Sequence, residues 1–261
     1  MDGDGPGADA GHGRLDLGAS DTGTEVDAAV PDAGSADAGA PDLGELGRSP
    51  CDSINDAFCW LPFPSGRNFL DNPGSPANRQ LIFFEDVFPF NDEMHPFDAT
   101  RLGFFDGYPV DARIVTALPG AVLDGLPGEE QIEASLADDA RILLFRQDGL
   151  ELTRIPYWVD TDPRFTDPEV QPILVNPAGV FEPNERYIVA LRGFRDAEGM
   201  LLPASVGFGR LRAGTTEGTR LERLQAEFDD LLSLIAAEDI DTSTLQAAWN
   251  FRTSSAEGMH F

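Results

Sequence analysis

At 261 residues, 41% of them hydrophobic, the chain is long enough to bury a substantial core. Its formal net charge of −28 would repel phosphate backbones and anionic lipid surfaces, which argues against nucleic acid as a partner. Every basic residue is arginine, and no apolar run is long enough to span a membrane.

Residues 1–50 read as an acidic, disordered tether rich in Asp, Ala and Gly. The first 48 residues hold 11 acidic side chains against Arg14 and Arg48, without hydrophobic periodicity, so like charges keep the segment extended. Asp21-Thr22-Gly23 matches an aspartic-protease signature, but that motif needs apolar strands around it. Met1 is followed by neither a basic nor an apolar signal region; either the protein is cytosolic or its true N-terminus lies upstream. Cys51 and Cys59 stand where order is expected to begin. A short-loop disulfide between them, favouring an oxidising compartment, is preferred over two buried thiols. Two cysteines and the scattered His12, His95 and His260 make no zinc-type cluster.

Residues 51–110 form an aromatic- and proline-rich segment, with Trp60, Phe63, Phe69, Phe83, Phe84, Phe88, Phe90, Phe97, Phe104, Phe105 and Tyr108 among frequent prolines. Proline at this density excludes long helices, so short strands draped over the following domain are expected. An aromatic groove for acyl chains or sugars is the functional alternative to core packing, and packing is preferred.

Residues 111–261 carry mostly strand signals. Expected strands are Arg113 to Leu118, Arg141 to Phe145, Leu150 to Val159, Pro172 to Val175, Arg186 to Arg192 and Leu201 to Phe208. Turns are expected at Gln147-Asp148-Gly149 and from Asp196 to Gly199. Asp160, Asp162 and Asp167 cluster oxygen ligands that could hold Ca²⁺; a solvated loop is the default, since the glycine and terminal glutamate of an EF-hand are missing. A helix is expected over about 217–237, from the capping-box spacing of Thr219 and Glu222 and a stripe of Leu221, Leu224, Phe228, Leu231, Leu232 and Ile235. After it, Leu245, Ala247, Trp249 and Phe251 alternate with Gln246, Ala248, Asn250 and Arg252, which predicts a half-buried strand with Trp249 inward. Several short strands with turns between them predict a mainly β fold, a β-sandwich interrupted by one helix of about 20 residues. A Ser-His-Asp triad would have to use His95, for which a surface or packing role is expected, so no catalytic residue is assigned.

Two stretches carry a family resemblance. Pro177 through Phe208, with its Pro-Asn-x-Arg-Tyr strand and Asp-x-x-Gly hairpin, resembles the Ig-like domains of secreted bacterial proteins. Leu61-Pro62-Phe63-Pro64-Ser65, leading to Phe104-Phe105-Asp106-Gly107-Tyr108-Pro109, resembles the N-terminal domain of bacterial virulence-factor lipases and related myxobacterial surface lipoproteins. The resemblance covers about residues 51–253. It implies an Ig-like sandwich in which Tyr187 acts as a tyrosine corner and Trp249 closes the core. It also implies a non-catalytic accessory module followed in the same chain by an α/β-hydrolase domain. The implied location is extracellular or the outer-membrane surface, with membrane contact only through a lipid anchor that this copy does not show. A free-standing extracellular binding or adhesion module is the alternative. The sequence departs from the family in having no Gly-x-Ser-x-Gly nucleophile elbow.

Overall fold

Pro-rich entry, short strands and one late amphipathic stripe together define what has to be packed. The computed structural model describes residues 54, 55, 57–83 and 103–259. The tether, Asp21-Thr22-Gly23, Cys51, Phe84, Phe88, Phe90, Phe97, His12, His95 and His260 lie outside the described residues.

The fold is mainly β, built from three antiparallel sheets. Strands β1 (Phe69–Asp71) and β2 (Arg79–Leu81) pair with each other. Strands β3 (Ile114–Thr116), β6 (Tyr157–Thr161) and β7 (Ile173–Pro177) make a sheet of order β3-β7-β6. Strands β4 (Ile142–Asp148), β5 (Glu151–Arg154), β8 (Arg186–Arg192) and β9 (Leu245–Arg252) make the central sheet, of order β5-β4-β8-β9. Helices α1 (Val206–Ala213) and α2 (Glu222–Ala237) interrupt the strand sequence between β8 and β9.

The central sheet is buried on both faces. Consecutive residues of a strand point to opposite sides, yet Ile142 to Phe145 and Tyr187 to Leu191 are all at most 1% exposed. One face meets α2, where Arg186 pairs with Asp230 at 2.7 Å and Asn250 donates to Glu227 at 2.7 Å. The other face carries Tyr187, Trp249 and Phe251; Phe181 packs on Tyr187 and Phe251 at ring distances of 4.2 and 5.4 Å, and Tyr108 on Phe251 at 6.2 Å.

This double burial corrects the expectation of a half-buried β9. Gln246, Ala248 and Asn250 are 2%, 0% and 8% exposed, because the helices cover the side that polar residues made look solvated. Their polarity is satisfied internally. Gln246 accepts from the Phe194 N–H at 2.7 Å and donates to the Phe194 and Leu202 carbonyls at 2.9 and 2.7 Å.

Three further expectations change. The single strand expected from Leu150 to Val159 is two, because Pro156 lacks an N–H and the chain there passes from the central sheet into the β3-β7-β6 sheet. The strand expected from Leu201 to Phe208 is only a bridge from Leu201 to Arg195, followed by α1. Ser205 caps that helix by accepting from the Phe208 N–H at 3.1 Å, and Gly214 ends it in the left-handed region at φ 67°. The late helix starts at Glu222 rather than near residue 217, and the Glu222 carboxylate accepts from the Gly218 N–H at 2.9 Å instead of from Thr219.

Arginine guanidinium groups fasten the long connections to the sheets. Arg141 donates to the Val122 carbonyl at 2.9 Å and to that of Asp124, Arg154 to that of Ser135 at 2.7 Å, and Arg192 to that of Ala140 at 3.0 Å. Tyr157 sits beneath these arginines with its hydroxyl donating to the Ile142 carbonyl at 2.6 Å, and burial pushes its pKa up.

Candidate functional site

The two halves of the family-like motif, about forty residues apart, meet in the structure around Tyr108. Its hydroxyl donates to the Ser65 carbonyl at 3.0 Å and accepts from the Ser65 N–H at 3.1 Å and the Asn68 amide at 2.8 Å. Its ring meets Phe63, Phe69 and Phe83 edge-on at 5.2, 5.6 and 6.3 Å. The Leu61-Pro62 and Phe63-Pro64 peptides are both cis, and the Pro64 carbonyl accepts from the Trp249 indole at 3.0 Å. Phe63 also bridges to Val115 of β3, so the Pro-Phe-Pro segment ties the β3 sheet to β9.

Immediately before Tyr108, Asp106 and Gly107 hold the chain that follows β9. Asp106 is 1% exposed, and its two carboxyl oxygens accept from the Ser255 N–H at 3.0 Å and the Ser255 hydroxyl at 2.5 Å. Gly107 lies so close that a Cβ there would sit 2.3 Å from Thr253 and Ser254 backbone atoms, and its carbonyl accepts from the Ser254 hydroxyl at 2.7 Å. A Cβ on Gly258 would stand 2.3 Å from the Asp106 carboxyl. Arg79 reaches in from β2 to the Thr253 carbonyl and the Asn184 side chain, both at 2.9 Å. Burial pulls the Arg79 pKa down, Arg252 acts in the same direction, and Asp106 opposes them.

A cleft of about 220 Å³ opens on the other side of Trp249, walled by Ile54, Pro62, Leu118, Leu202 and Ala247. Three polar side chains on its wall, those of Asn55, Ser205 and Gln246, are already engaged. Asn55 donates to the Ala117 carbonyl at 3.1 Å, Ser205 caps α1, and Gln246 holds Phe194 and Leu202. The cleft therefore offers an apolar surface and a size below that of drug-sized ligand pockets.

The residues singled out from sequence are spread over the molecule. Asp160 accepts from the Asn176 amide at 3.0 Å, Asp162 pairs with Arg164 at 2.5 Å, and Asp167 accepts from the Glu169 N–H at 3.0 Å. Each carboxylate thus has its own local partner, and among the described residues no group of three His, Cys, Asp or Glu side chains is placed to hold a metal. Arg164 holds the Asp162 carboxyl down at about 2. Tyr187 accepts from the Glu182 N–H, five residues upstream, at 2.7 Å, and burial raises its pKa. Trp249 is 2% exposed. No described cysteine is free; Cys51 lies outside the described residues. Sequence reasoning missed Ser254, Ser255 and Gly258, whose signal exists only through a partner 149 residues away for Ser255. No family model, curated protein or solved structure matches the chain.

Proposed function

We propose that the chain is a non-catalytic, Ig-like accessory module of an exported, surface-anchored protein, placed before a lipase- or esterase-like hydrolase domain. The observation that carries this reading is the use made of the motif residues. Asp106, Tyr108 and Ser65 direct their polar atoms at one another and at the chain after β9, which is the bonding of a structural joint. A catalytic centre instead leaves a nucleophile and a base aimed at a space for substrate. The proposed Cys51–Cys59 disulfide belongs to the same reading, because it calls for an oxidising compartment.

Reading the gene upstream of Met1 and beyond Phe261 tests the proposal. A lipidated cysteine after a signal sequence and a downstream Gly-x-Ser-x-Gly elbow are the expected outcome; a stop codon directly after Phe261 overturns it. Esterase turnover by the 261-residue chain alone would also count against it. The disulfide is read by intact mass with and without reductant, a gain of about 2 Da on reduction being expected and free thiols weakening the case for export. A second reading, a free-standing extracellular binding module, is favoured by the apolar cleft beside Trp249, flanked in sequence by the half-exposed Trp60 and Leu201.

A further inference from the structure

The chain that leaves β9 does not behave as a linker. Linkers are solvated and make few contacts with the domain they leave, whereas Thr253, Ser254 and Ser255 are 0%, 1% and 6% exposed. Thr253 donates its N–H to the Glu185 carbonyl at 3.1 Å and its hydroxyl to that of Glu182 at 2.6 Å. Ser254 donates to the Tyr108 carbonyl at 2.8 Å, and its own carbonyl accepts from the Asn184 N–H at 2.9 Å. Ser255 is held by Asp106 through both its N–H and its hydroxyl, and the same hydroxyl accepts from the Gly258 N–H at 2.9 Å. A turn of 3₁₀ helix, Glu257–Met259, then carries the chain on. The hook is therefore anchored by β2, by the Asp106-Gly107-Tyr108 segment and by the turn before β8, all of which belong to the folded body.

We propose that residues 253–259 are a rigid coupler, with Asp106 as its positioning residue, that sets the direction in which the chain leaves the sheet. Resting on the reading of the chain as an accessory module, the coupler would carry the next domain at a fixed orientation instead of on a loose tether. Two features make the device specific to these residues. Asp106 is the group that satisfies Ser255 in a place closed to water, and any Cβ at 258 would displace that carboxyl.

Amide hydrogen exchange on the 261-residue protein tests it. The Ser255 and Gly258 amides are expected to exchange as slowly as those of β9. Asp106→Asn, which keeps size but leaves one oxygen where two accept from the Ser255 N–H and the Ser255 hydroxyl, should speed both amides at least tenfold and leave β8 and β9 unchanged. Gly258→Ala should do the same from the other side. Unprotected amides in the parent protein overturn the proposal, as does protection that survives both substitutions. Acceleration that spreads through β9 in both variants also overturns it, because the hook would then be core and not a separable coupler. A stop codon after Phe261 would remove the accessory-module reading and the coupling with it, while slow exchange would still record a clasp; the two failures are distinguishable.

Discussion

Among the Asp-Gly dipeptides of the sequence, those at 106–107 and 148–149 use glycine for opposite reasons. At Gly149 the backbone takes φ 61° in the two-residue loop between β4 and β5, and nothing lies within 4 Å of where a Cβ would be. Glycine is needed there for its conformation alone. Gly107 is outside the positive-φ set, but a Cβ would meet Thr253 and Ser254 backbone at 2.3 Å. Glycine is needed there for room. The aspartates differ in the same way: Asp148 is exposed at a hairpin end, whereas Asp106 is 1% exposed and bonded across 149 residues of chain. A local signal and a long-range one are written with the same two letters.

That contrast can be broken most sharply at Gly107. Gly107→Ala should cost about 3 kcal/mol or more, because a backbone neighbour cannot move aside as a flexible side-chain tip would. The measurement is urea unfolding, and a loss under about 1 kcal/mol would remove the close approach as the reason for glycine. Tyr108→Phe comes next, at about 2 kcal/mol, since Ser65 and Asn68 lose a partner in a buried place. Gly149→Ala should cost only about 1 kcal/mol, the penalty of a left-handed conformation with free space around it. Equal losses at 107 and 149 would erase the distinction between the two sites.

The smallest effect is expected in the exposed β6–β7 connection. Asp162, held near a pKa of about 2 by Arg164, has a folded value below the ordinary carboxyl value of about 3.9. Its favourable interaction is thus present above about pH 4 and lost as pH falls through about 2. The pair lies at the surface, with the Arg164 side chain 83% exposed, so Asp162→Asn should leave the unfolding midpoint unchanged while a carboxyl resonance titrating near 2 disappears from the NMR pH series. Destabilisation by this variant would mean that the loop is held by the pair.

Legibility followed the range of each interaction. The hairpin at Gly149, the Asp196–Gly199 turn, the apolar stripe of α2 and the strand from Arg186 to Arg192 depend on neighbours in sequence, and they fall where residue types suggest. The expected turn at Gln147-Asp148-Gly149 moves by one residue because Asp148 still pairs with Glu151. The strand near Leu201 failed because Leu202 and Phe208 look equally apolar in either conformation, and Ser205 with Gly214 decides for a helix. At the candidate site, Asp106, Tyr108 and the Pro-Phe-Pro run were visible as a motif, but their convergence was not.

By itself the amino-acid order determined the class of the fold, the acidic balance, the turns and the amphipathic helix, because each rests on local conformational preference or on summed composition. Tertiary structure decided that the central sheet is covered on both faces, that Gln246 and Asn250 are buried polar residues with partners, and that Asp106 holds the chain after β9. Those outcomes depend on which distant segments close on one another. A period-2 pattern reports which residues are polar; only packing decides whether water or a protein donor satisfies them.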